Sequence, residues 1–486
     1  MAINNFKSDD SFLEKLAVGA AGVNATMRSL KELGYQPIEL ERGSSGYKIW
    51  KKIKIKRVRV PDILCLKSGQ RFESRGKTKL EISMSHSLRD PNRAWDAGMR
   101  PDDLVSFVMF EKADDTPVNW RMASPVHYVR VDDMRDAFKR NIIQITKPKG
   151  VEEGSEIRVI WPSKTAAKES TVKEITDRLI KLEFVDKSGQ QRCILTRKKF
   201  SLIPQCNVGD LVAKNQIIAS VVPIHSNPVC QAEVDETFFR ERLQSAALSE
   251  RYAAAKALRF RGFSSSGKKL KERMHDQDED IYVQLEAAAA LAAQGDSAGW
   301  DFLTKMIDST YLALQLETVI VVSEIPSKQS EEILIRILMD GKRDSEIRAG
   351  AAWGLGEFTS QSVADALINT FDVTNPEIKI EAARALLRIA PPNIQYLANS
   401  LKISSSTKRD GIAWTLARSG KFNIADLTND DDDNLRQWLS YIAGFGKSYF
   451  TEKQITALCE SDPEVYFAAS VLWQVISSWI YNLREY

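Results

Sequence analysis

The pattern of apolar and polar positions changes along the chain and predicts different elements in different parts. Apolar residues recur every three to four positions from residue 12 to residue 33, which predicts a helix that Gly34 ends as its C-cap. Segments that alternate with period two follow, over residues 37–41 and 47–60, and predict strands. We therefore expect an α/β core over residues 1–148.

A β-hairpin is predicted next. Residues 61–66 form an apolar strand pattern, residues 67–70 have the composition of a turn, and residues 71–77 form the returning strand. Residues 104–110 are apolar nearly throughout, which is typical of a strand buried on both faces of a mixed sheet.

A second module is predicted to begin after residues 147–154, where one Pro and two Gly interrupt the periodicity. Several short strand patterns follow, and we expect a small, β-rich, barrel-like module over residues 149–235. Its last segment, residues 208–219, is similar to the strand-turn-strand of barrel-sandwich hybrid domains, including biotinyl and lipoyl carriers. The modified lysine of those carriers has no counterpart here, so a carrier function is not expected.

The rest of the chain, residues 236–486, is predicted to be helical and repetitive. One sequence motif recurs, in which small residues lie in the middle of an apolar helix. Successive copies start about 26 to 33 residues apart, which is the length of a helical hairpin. Second helices are predicted over residues 300–307, 331–338 and 363–371. The motif resembles HEAT-like repeats, and the resemblance implies an α-solenoid. The clearest copies begin at Glu250, Ile281, Glu346, Glu377 and Glu464, and weaker copies start near Tyr311, Lys408 and Asn434.

Composition adds a local feature to this picture. A chain of 486 residues is too long to fold around one hydrophobic core. Its net charge of +3 does not by itself indicate a polyanionic partner. From Lys48 to Lys79, however, twelve lysines and arginines surround only two carboxylates, Asp62 and Glu73. This stretch is where we expect the phosphate backbone of a nucleic acid to bind.

Other candidate chemistry is weaker. The five cysteines form no CxxC pair, so we expect reduced thiols, and the four histidines lie too far apart in sequence for a zinc site. No GxxxxGK[ST] loop is present. Because no apolar run approaches the roughly 20 residues of a membrane helix and no signal peptide is visible, we expect a cytoplasmic protein without a membrane partner.

The two carboxylates could form a site together with neighbouring cations. The hairpin places Asp62 on one strand and Glu73 on the next, and Arg75 and Lys77 follow Glu73 at period two on one face. Two carboxylates can bind Mg²⁺ or Mn²⁺, and a neighbouring lysine can polarise an attacking water. This combination suits the hydrolysis of phosphodiester bonds.

Basic residues of the preceding segment alternate along a predicted strand, so about half of them should share a face with the carboxylates. They are candidates for contacts with backbone phosphates. These residues are Lys51, Lys52, Lys54, Lys56, Arg57 and Arg59.

The order of elements, with Pro61-Asp62 and the phrase from Phe72 to Lys77, resembles the PD-(D/E)xK nuclease superfamily. That resemblance implies a core of helix, three strands, helix and strand, with Asp62 and Glu73 as metal ligands. The family's third residue stands two positions after the acid, where this chain has Arg75. Arginine does not release a proton at usable pH, so Lys77, next on the same face, is the candidate for that role.

The function expected from these features is a metal-dependent nuclease, with DNA preferred over RNA, whose solenoid recognises a substrate or a protein partner. Microbial defence and DNA repair are settings suggested by analogy. Two alternatives stay open. Asp62 and Glu73 could be structural, with Glu73 as a cross-strand partner of Arg57 or Arg59. Alternatively, the chain could be a non-catalytic nucleic-acid-binding or protein scaffold with a nuclease-like fold.

Overall fold

The computed structural model describes residues 9–41, 58–113, 119–147, 156–196, 200–228, 230, 232–419, 432–445 and 452–471. The described residues divide into two compact units, one up to Ala287 and one from Ala288 onward. The three-domain division expected from the sequence stays a prediction.

The first unit contains the predicted N-terminal helix and all the strands, followed by helices. Its helices are α1 (Asp9–Glu32), α2 (Val131–Lys139), α3 (Glu236–Arg242), α4 (Leu248–Arg261), α5 (Gly267–His275) and the start of α6 (Ile281–Ala293). Its strands are β1 (Pro37–Glu39), β2 (Ile63–Cys65), β3 (Arg71–Lys77), β4 (Ile82–Ser87), β5 (Leu104–Lys112), β6 (Trp120–Met122), β7 (His127–Arg130), β8 (Gln144–Thr146), β9 (Glu156–Trp161), β10 (Ser163–Thr165), β11 (Ser170–Ile175), β12 (Leu179–Phe184), β13 (Gln190–Ile194), β14 (Ile203–Pro204), β15 (Leu211–Val212) and β16 (Ile217–Ser220).

The largest sheet has the strand order β1-β2-β3-β5-β6, with β7 also paired to β5. The predicted hairpin of β2 and β3 is present and antiparallel, whereas β3 and β5 run parallel. The prediction that residues 104–110 form a strand buried on both faces is confirmed, since β5 lies inside the sheet with five successive buried residues at its start.

Helix α1 packs directly on β3, and glycine makes this close approach possible. A Cβ atom added to Gly76 would lie 2.1 Å from the carbonyl oxygen of Val18, and one added to Gly22 would lie 2.7 Å from the Gly76 nitrogen. On the same side, the Thr26 hydroxyl lies 3.1 Å from that of Ser74. Ser74 and Gly76 therefore face α1, and the alternating residues of β3 face the other side of the sheet.

The opposite side of the large sheet is covered by a hydrophobic core that includes Trp95, Phe107 and Trp161. Part of this core comes from a three-stranded sheet of order β4-β9-β8, in which β4 pairs antiparallel with β9 along six residue pairs. The hydrogen-bonded ladder therefore joins residues on both sides of the predicted boundary at residue 148.

The β-rich module differs from the predicted barrel. Its described strands form two open sheets, of order β13-β12-β11-β15 and β10-β16-β14, around one hydrophobic core. The strand-turn-strand predicted for residues 208–219 splits between them, because β15 pairs with β11 and β16 pairs with β10 and β14. Asn215 makes the turn with a positive φ of 62°.

The second unit is a helical repeat, as predicted. Its helices after α6 are α7 (Ser297–Ile307), α8 (Leu312–Ser323), α9 (Lys328–Met339), α10 (Ser345–Leu355), α11 (Gln361–Asn369), α12 (Pro376–Ile403), α13 (Ser406–Ser419), α14 (Asp433–Phe445) and α15 (Glu452–Ser461).

Small residues let the repeat helices approach closely. A Cβ atom on Gly354 would lie 2.7 Å from that of Ser323, and one on Gly411 would lie 2.2 Å from the Phe371 ring. Each repeat buries its apolar stripe only by stacking on its neighbours, so the repeats form a continuous core. Within the part of the chain that the structure describes, no helix is both long and apolar enough to cross a membrane.

Candidate functional site

The β2–β3 hairpin brings the two predicted carboxylates together. Ile63 pairs with Phe72 and Leu64 with Arg71, so extending this register by one residue sets Asp62 opposite Glu73. Both residues are 7% exposed. Since Ser74 and Gly76 face α1, Glu73, Arg75 and Lys77 share the other face of β3, as the alternation predicted.

Asp62 is held in place by the backbone of the next strand. Its Oδ2 accepts a hydrogen bond of 2.7 Å from the amide of Ser74. Burial raises the pKa of the Asp62 carboxyl well above its usual range, and the negative charges of Glu73 and Glu41 raise it further, while Arg75 and the Ser74 amide oppose the rise. The two buried carboxylates therefore favour a state in which a proton is retained.

Glu73 has a cationic partner. The guanidinium Nη2 of Arg75 lies 2.5 Å from Glu73 Oε1, and Arg75 Nε donates to the sulfur of Met84 at 3.3 Å. Burial raises the pKa of Glu73, Arg75 and Arg59 lower it, and the net direction is upward. The side chain of Arg75 is 42% exposed. The Arg75–Glu73 ion pair therefore lies at the edge of the buried Asp62–Glu73 carboxylate pair and remains in contact with solvent.

Lys77 points away from this ion pair. Its Nζ donates to the backbone oxygen of Ser83 at 2.7 Å and to the Ser83 hydroxyl at 3.1 Å. Burial, together with the positive charges of Arg75 and Arg158, lowers the pKa of Lys77 to about 7. A substantial share of the lysine is therefore uncharged at neutral pH, and an uncharged amine can accept a proton.

Another ion pair, which is fully buried, lies at the start of β3, and it was not predicted from the sequence. Arg71 Nη2 lies 2.6 Å from Asp103 Oδ2, with the two side chains 1% and 0% exposed. The Arg71 guanidinium also donates to the Gly98 carbonyl and the Ser249 hydroxyl. The parallel pairing of β3 with β5 brings these two residues together, and only a prediction of that pairing could have found them.

A divalent metal ion does not fit the site as it stands. The Arg75 guanidinium already neutralises Glu73, and one oxygen of Asp62 is committed to the Ser74 amide. Glu41 contributes a third negative charge nearby, yet no cluster of three metal-ligating side chains occurs among the described residues. Arg75 therefore supplies the positive charge beside Glu73 that a bound metal ion would otherwise supply.

Most of the predicted phosphate-binding residues lie outside the described residues: Lys51, Lys52, Lys54, Lys56 and Arg57. Arg59 is described, and its charge lowers the pKa of Glu73, which places it near the carboxylate pair. Glu14 of α1 forms an ion pair with Lys112 at 2.5 Å.

The histidines give no sign of a metal site in the described part of the chain. His127 is fully buried, and its Nε2 accepts a hydrogen bond of 2.9 Å from the Ile217 amide. Burial lowers its pKa to about 4, so the imidazole is neutral at physiological pH. Through this hydrogen bond His127 links β7 to β16.

Comparisons with known proteins identify no family for this chain. No family model and no curated protein matches it. Solved structures of helical proteins match about half of the chain at low similarity. They include the complex of CpcE and CpcF of phycocyanin lyase from Nostoc sp. PCC7120 (17% identity, TM-score 0.25, 50% of this chain and 96% of that chain).

Two further matches are of the same kind. A mutant of Kap121p matches with 13% identity and a TM-score of 0.30, over 50% of this chain and 32% of that chain. Human deoxyhypusine hydroxylase matches with 16% identity and a TM-score of 0.20, over 44% of this chain and 84% of that one. These scores are too low to support a function.

Proposed function

We propose that this chain is a non-catalytic scaffold, in which a nuclease-like core binds the phosphate backbone of nucleic acid and a HEAT-like repeat binds a protein. The observation that carries the proposal is the Arg75–Glu73 ion pair of 2.5 Å. A guanidinium suits phosphate binding and cannot serve as a proton-transfer group at usable pH. A site that holds arginine against its acid is therefore better built to bind a phosphate than to hydrolyse it.

The topology around the hairpin supports a nuclease-like core. An antiparallel β2–β3 hairpin carries both acids, a parallel β5 follows, and α1 covers the face opposite to the acids. The first helix and the strands come in the order that the resemblance implies. The crossover between β3 and β5 differs from it, because the described chain there contains β4 and a short 3-10 helix (Pro91–Arg93) in place of a full α-helix.

A second candidate function is the metal-dependent nuclease expected from the sequence. The observation that favours it is the uncharged fraction of Lys77, whose pKa is lowered to about 7 on the same face as both acids. For this function, Mg²⁺ or Mn²⁺ would have to displace Arg75 from Glu73.

One experiment separates the two candidates. Fluorescently labelled duplex DNA, single-stranded DNA and single-stranded RNA are titrated with the full chain, and the same substrates are incubated with Mg²⁺ or Mn²⁺ and resolved on denaturing gels. We expect binding without cleavage. The variant Arg75→Gln should weaken binding several-fold, since it loses one charge-assisted contact with phosphate. Arg121→Gln, which alters an exposed arginine paired with Glu111, is the matched control.

A salt series tests the basic segment over residues 51–59 in the same assay. Neutralising Lys52, Lys54 and Lys56 together should lower the slope of log K against log salt by about 0.9 for each lost phosphate contact on duplex DNA. An unchanged slope would remove the nucleic acid from the proposal. Cleavage that requires metal and disappears in Asp62→Asn would instead establish the second candidate.

A further inference from the structure

The last described repeats carry a cluster of aromatic side chains around one arginine. We call it the Arg418 patch, and it consists of Trp414 and Arg418 of α13 with Trp438, Tyr441 and Phe445 of α14. Each of the five is partly exposed. Tryptophan, tyrosine and arginine are the residues enriched at the energetic centres of protein interfaces.

Contacts within the Arg418 patch hold its members in a defined arrangement. The Arg418 guanidinium lies 4.8 Å from the centroid of the Trp414 ring. Trp438 meets Tyr441 edge to face at 5.7 Å, and Tyr441 meets Phe445 at 4.5 Å. Arg418 also acts electrostatically on Tyr441, where it opposes the rise in pKa that burial causes. The arginine and the rings therefore form one continuous group across α13 and α14.

Within the described chain, Arg418 lacks the acidic partner that four other arginines of this repeat have. Arg343, Arg384, Arg409 and Arg436 each pair with a carboxylate within 3.0 Å. No such pair involves Arg418 among the described residues, and its buried Nε has no hydrogen-bond partner there. The buried indole Nε1 of Trp438 is likewise without an acceptor in the described chain. Two donors and one uncompensated charge thus lie in the same patch.

Unsatisfied buried donors are rare in folded proteins, because each loses its hydrogen bond to water without replacement. A ligand that satisfies both donors and the charge must supply acceptor oxygens that are negatively charged. Carboxylates bind guanidinium groups with two parallel hydrogen bonds, and the surrounding rings exclude water from such a contact.

We propose that the Arg418 patch is a binding surface for an acidic peptide segment of a partner protein, with a glutamate or aspartate carboxylate bound to Arg418 and Trp438. Single-stranded nucleic acid fits less well. Bases bind by stacking on free aromatic faces, whereas Arg418 covers the face of Trp414, and Trp438, Tyr441 and Phe445 contact one another. The inference deepens the scaffold role proposed above and rests on it for the presence of a protein partner.

The test uses the full chain and a fluorescein-labelled peptide of alternating Glu and Gly, with fluorescence anisotropy as the readout. The same peptide with Gln in place of Glu is the ligand control. We expect the Glu peptide to bind and the Gln peptide to bind at least about tenfold more weakly, as expected for the loss of charge-assisted hydrogen bonds.

Variants locate the contact. Arg418→Gln should weaken binding of the Glu peptide about tenfold, and Trp438→Phe, which keeps an aromatic ring and removes the donor, should weaken it several-fold. Arg384→Gln is the matched control, because Arg384 already pairs with Glu381 at 2.6 Å, and it should change affinity less than about twofold. Should Trp438→Phe fail to fold, Arg418→Lys tests the same point by keeping the charge and removing the planar fork.

Three results would overturn the proposal: no binding of the Glu peptide, equal binding of the Gln peptide, or an equal effect of Arg384→Gln and Arg418→Gln. Binding of labelled oligo-dT that is lost in Arg418→Gln, without binding of the Glu peptide, would assign the patch to nucleic acid. Failure of the nucleic-acid part of the scaffold proposal would give a different result. Arg75→Gln in the first unit would then leave nucleic-acid binding unchanged, and peptide binding to the Arg418 patch would be unaffected.

Discussion

Carboxylates on the β2–β3 hairpin and carboxylates at the ends of the repeat helices respond to their surroundings in opposite directions. Burial raises the pKa values of Asp62 and Glu73, although Arg75 lies beside them. In the repeat, the Thr407 hydroxyl lowers the pKa of Asp372, and the Leu435 amide and Arg409 lower that of Asp432. The hairpin acids are desolvated and crowded, whereas the repeat acids are half-exposed and provided with donors.

This difference sets opposite dependences of stability on pH. The folded hairpin retains protons that the unfolded chain has lost, so its contribution to the free energy of unfolding falls as the pH rises above about 4. The repeat acids ionise more easily in the folded state. Their contribution is present above the pKa of the unfolded chain, about 4, and is lost as the pH falls through the lower folded pKa.

The largest expected effect comes from removing one partner of the fully buried ion pair in the sheet region. Arg71→Met leaves Asp103 buried with Arg100 as its remaining ion-pair partner among the described residues, and it should lower the free energy of unfolding by about 3 kcal/mol. Urea unfolding followed by circular dichroism measures this. Arg121→Met, at an exposed ion pair with Glu111, should change it by less than about 0.5 kcal/mol. Similar losses in both variants would show that burial does not distinguish these pairs.

An intermediate effect of opposite sign is expected for the carboxylate pair. Asp62→Asn keeps an acceptor for the Ser74 amide and removes a charge that burial disfavours, so it should raise the free energy of unfolding by about 1 kcal/mol near neutral pH. The gain should shrink toward zero as the pH falls below about 4, where the native carboxyl is protonated in both the folded and the unfolded chain. Urea midpoints measured across this pH range provide the test. A loss of stability at neutral pH would mean that the ionised form is the stabilised one.

The smallest effect is expected in the repeat. Asp432→Asn removes the ion pair of 2.6 Å with Arg409 and weakens the acceptor at the start of α14, and the lost interactions lie at a half-exposed site. The melting temperature at neutral pH should fall by no more than about 2 °C, and the difference from the native chain should vanish in acid. A gain in stability at neutral pH would contradict the assignment of opposite signs to the two regions.

Local patterns predicted the hairpin elements well. A short apolar run and a turn before a returning strand are enough to place β2 and β3, and a continuous apolar run is enough to identify β5. Period-two alternation put Glu73, Arg75 and Lys77 on one face. It left open whether the Arg75 guanidinium contacts Glu73 or a substrate, because that choice depends on the space and charge around the side chain.

Contacts between distant segments were beyond the reach of these patterns. Asp103, the partner of Arg71, lies 32 residues away and immediately before β5, and its position depends on the parallel pairing of β3 with β5. The barrel-like module was predicted incorrectly for the same reason. The alternation in residues 208–219 indicates two strands, yet it carries no information on which neighbour each strand pairs with.

The ladder between β4 and β9 has a consequence for how this protein could be divided. Along six residue pairs, the backbone groups of β4 are satisfied by a strand that begins at Glu156. A fragment that stopped at residue 148 would leave those groups as an open strand edge, flanked by the apolar side chains of Ile82 and Met84. Such edges recruit strands from other molecules. The strand that begins at Glu156 thus covers this edge within the same chain and opposes self-association of the large-sheet region.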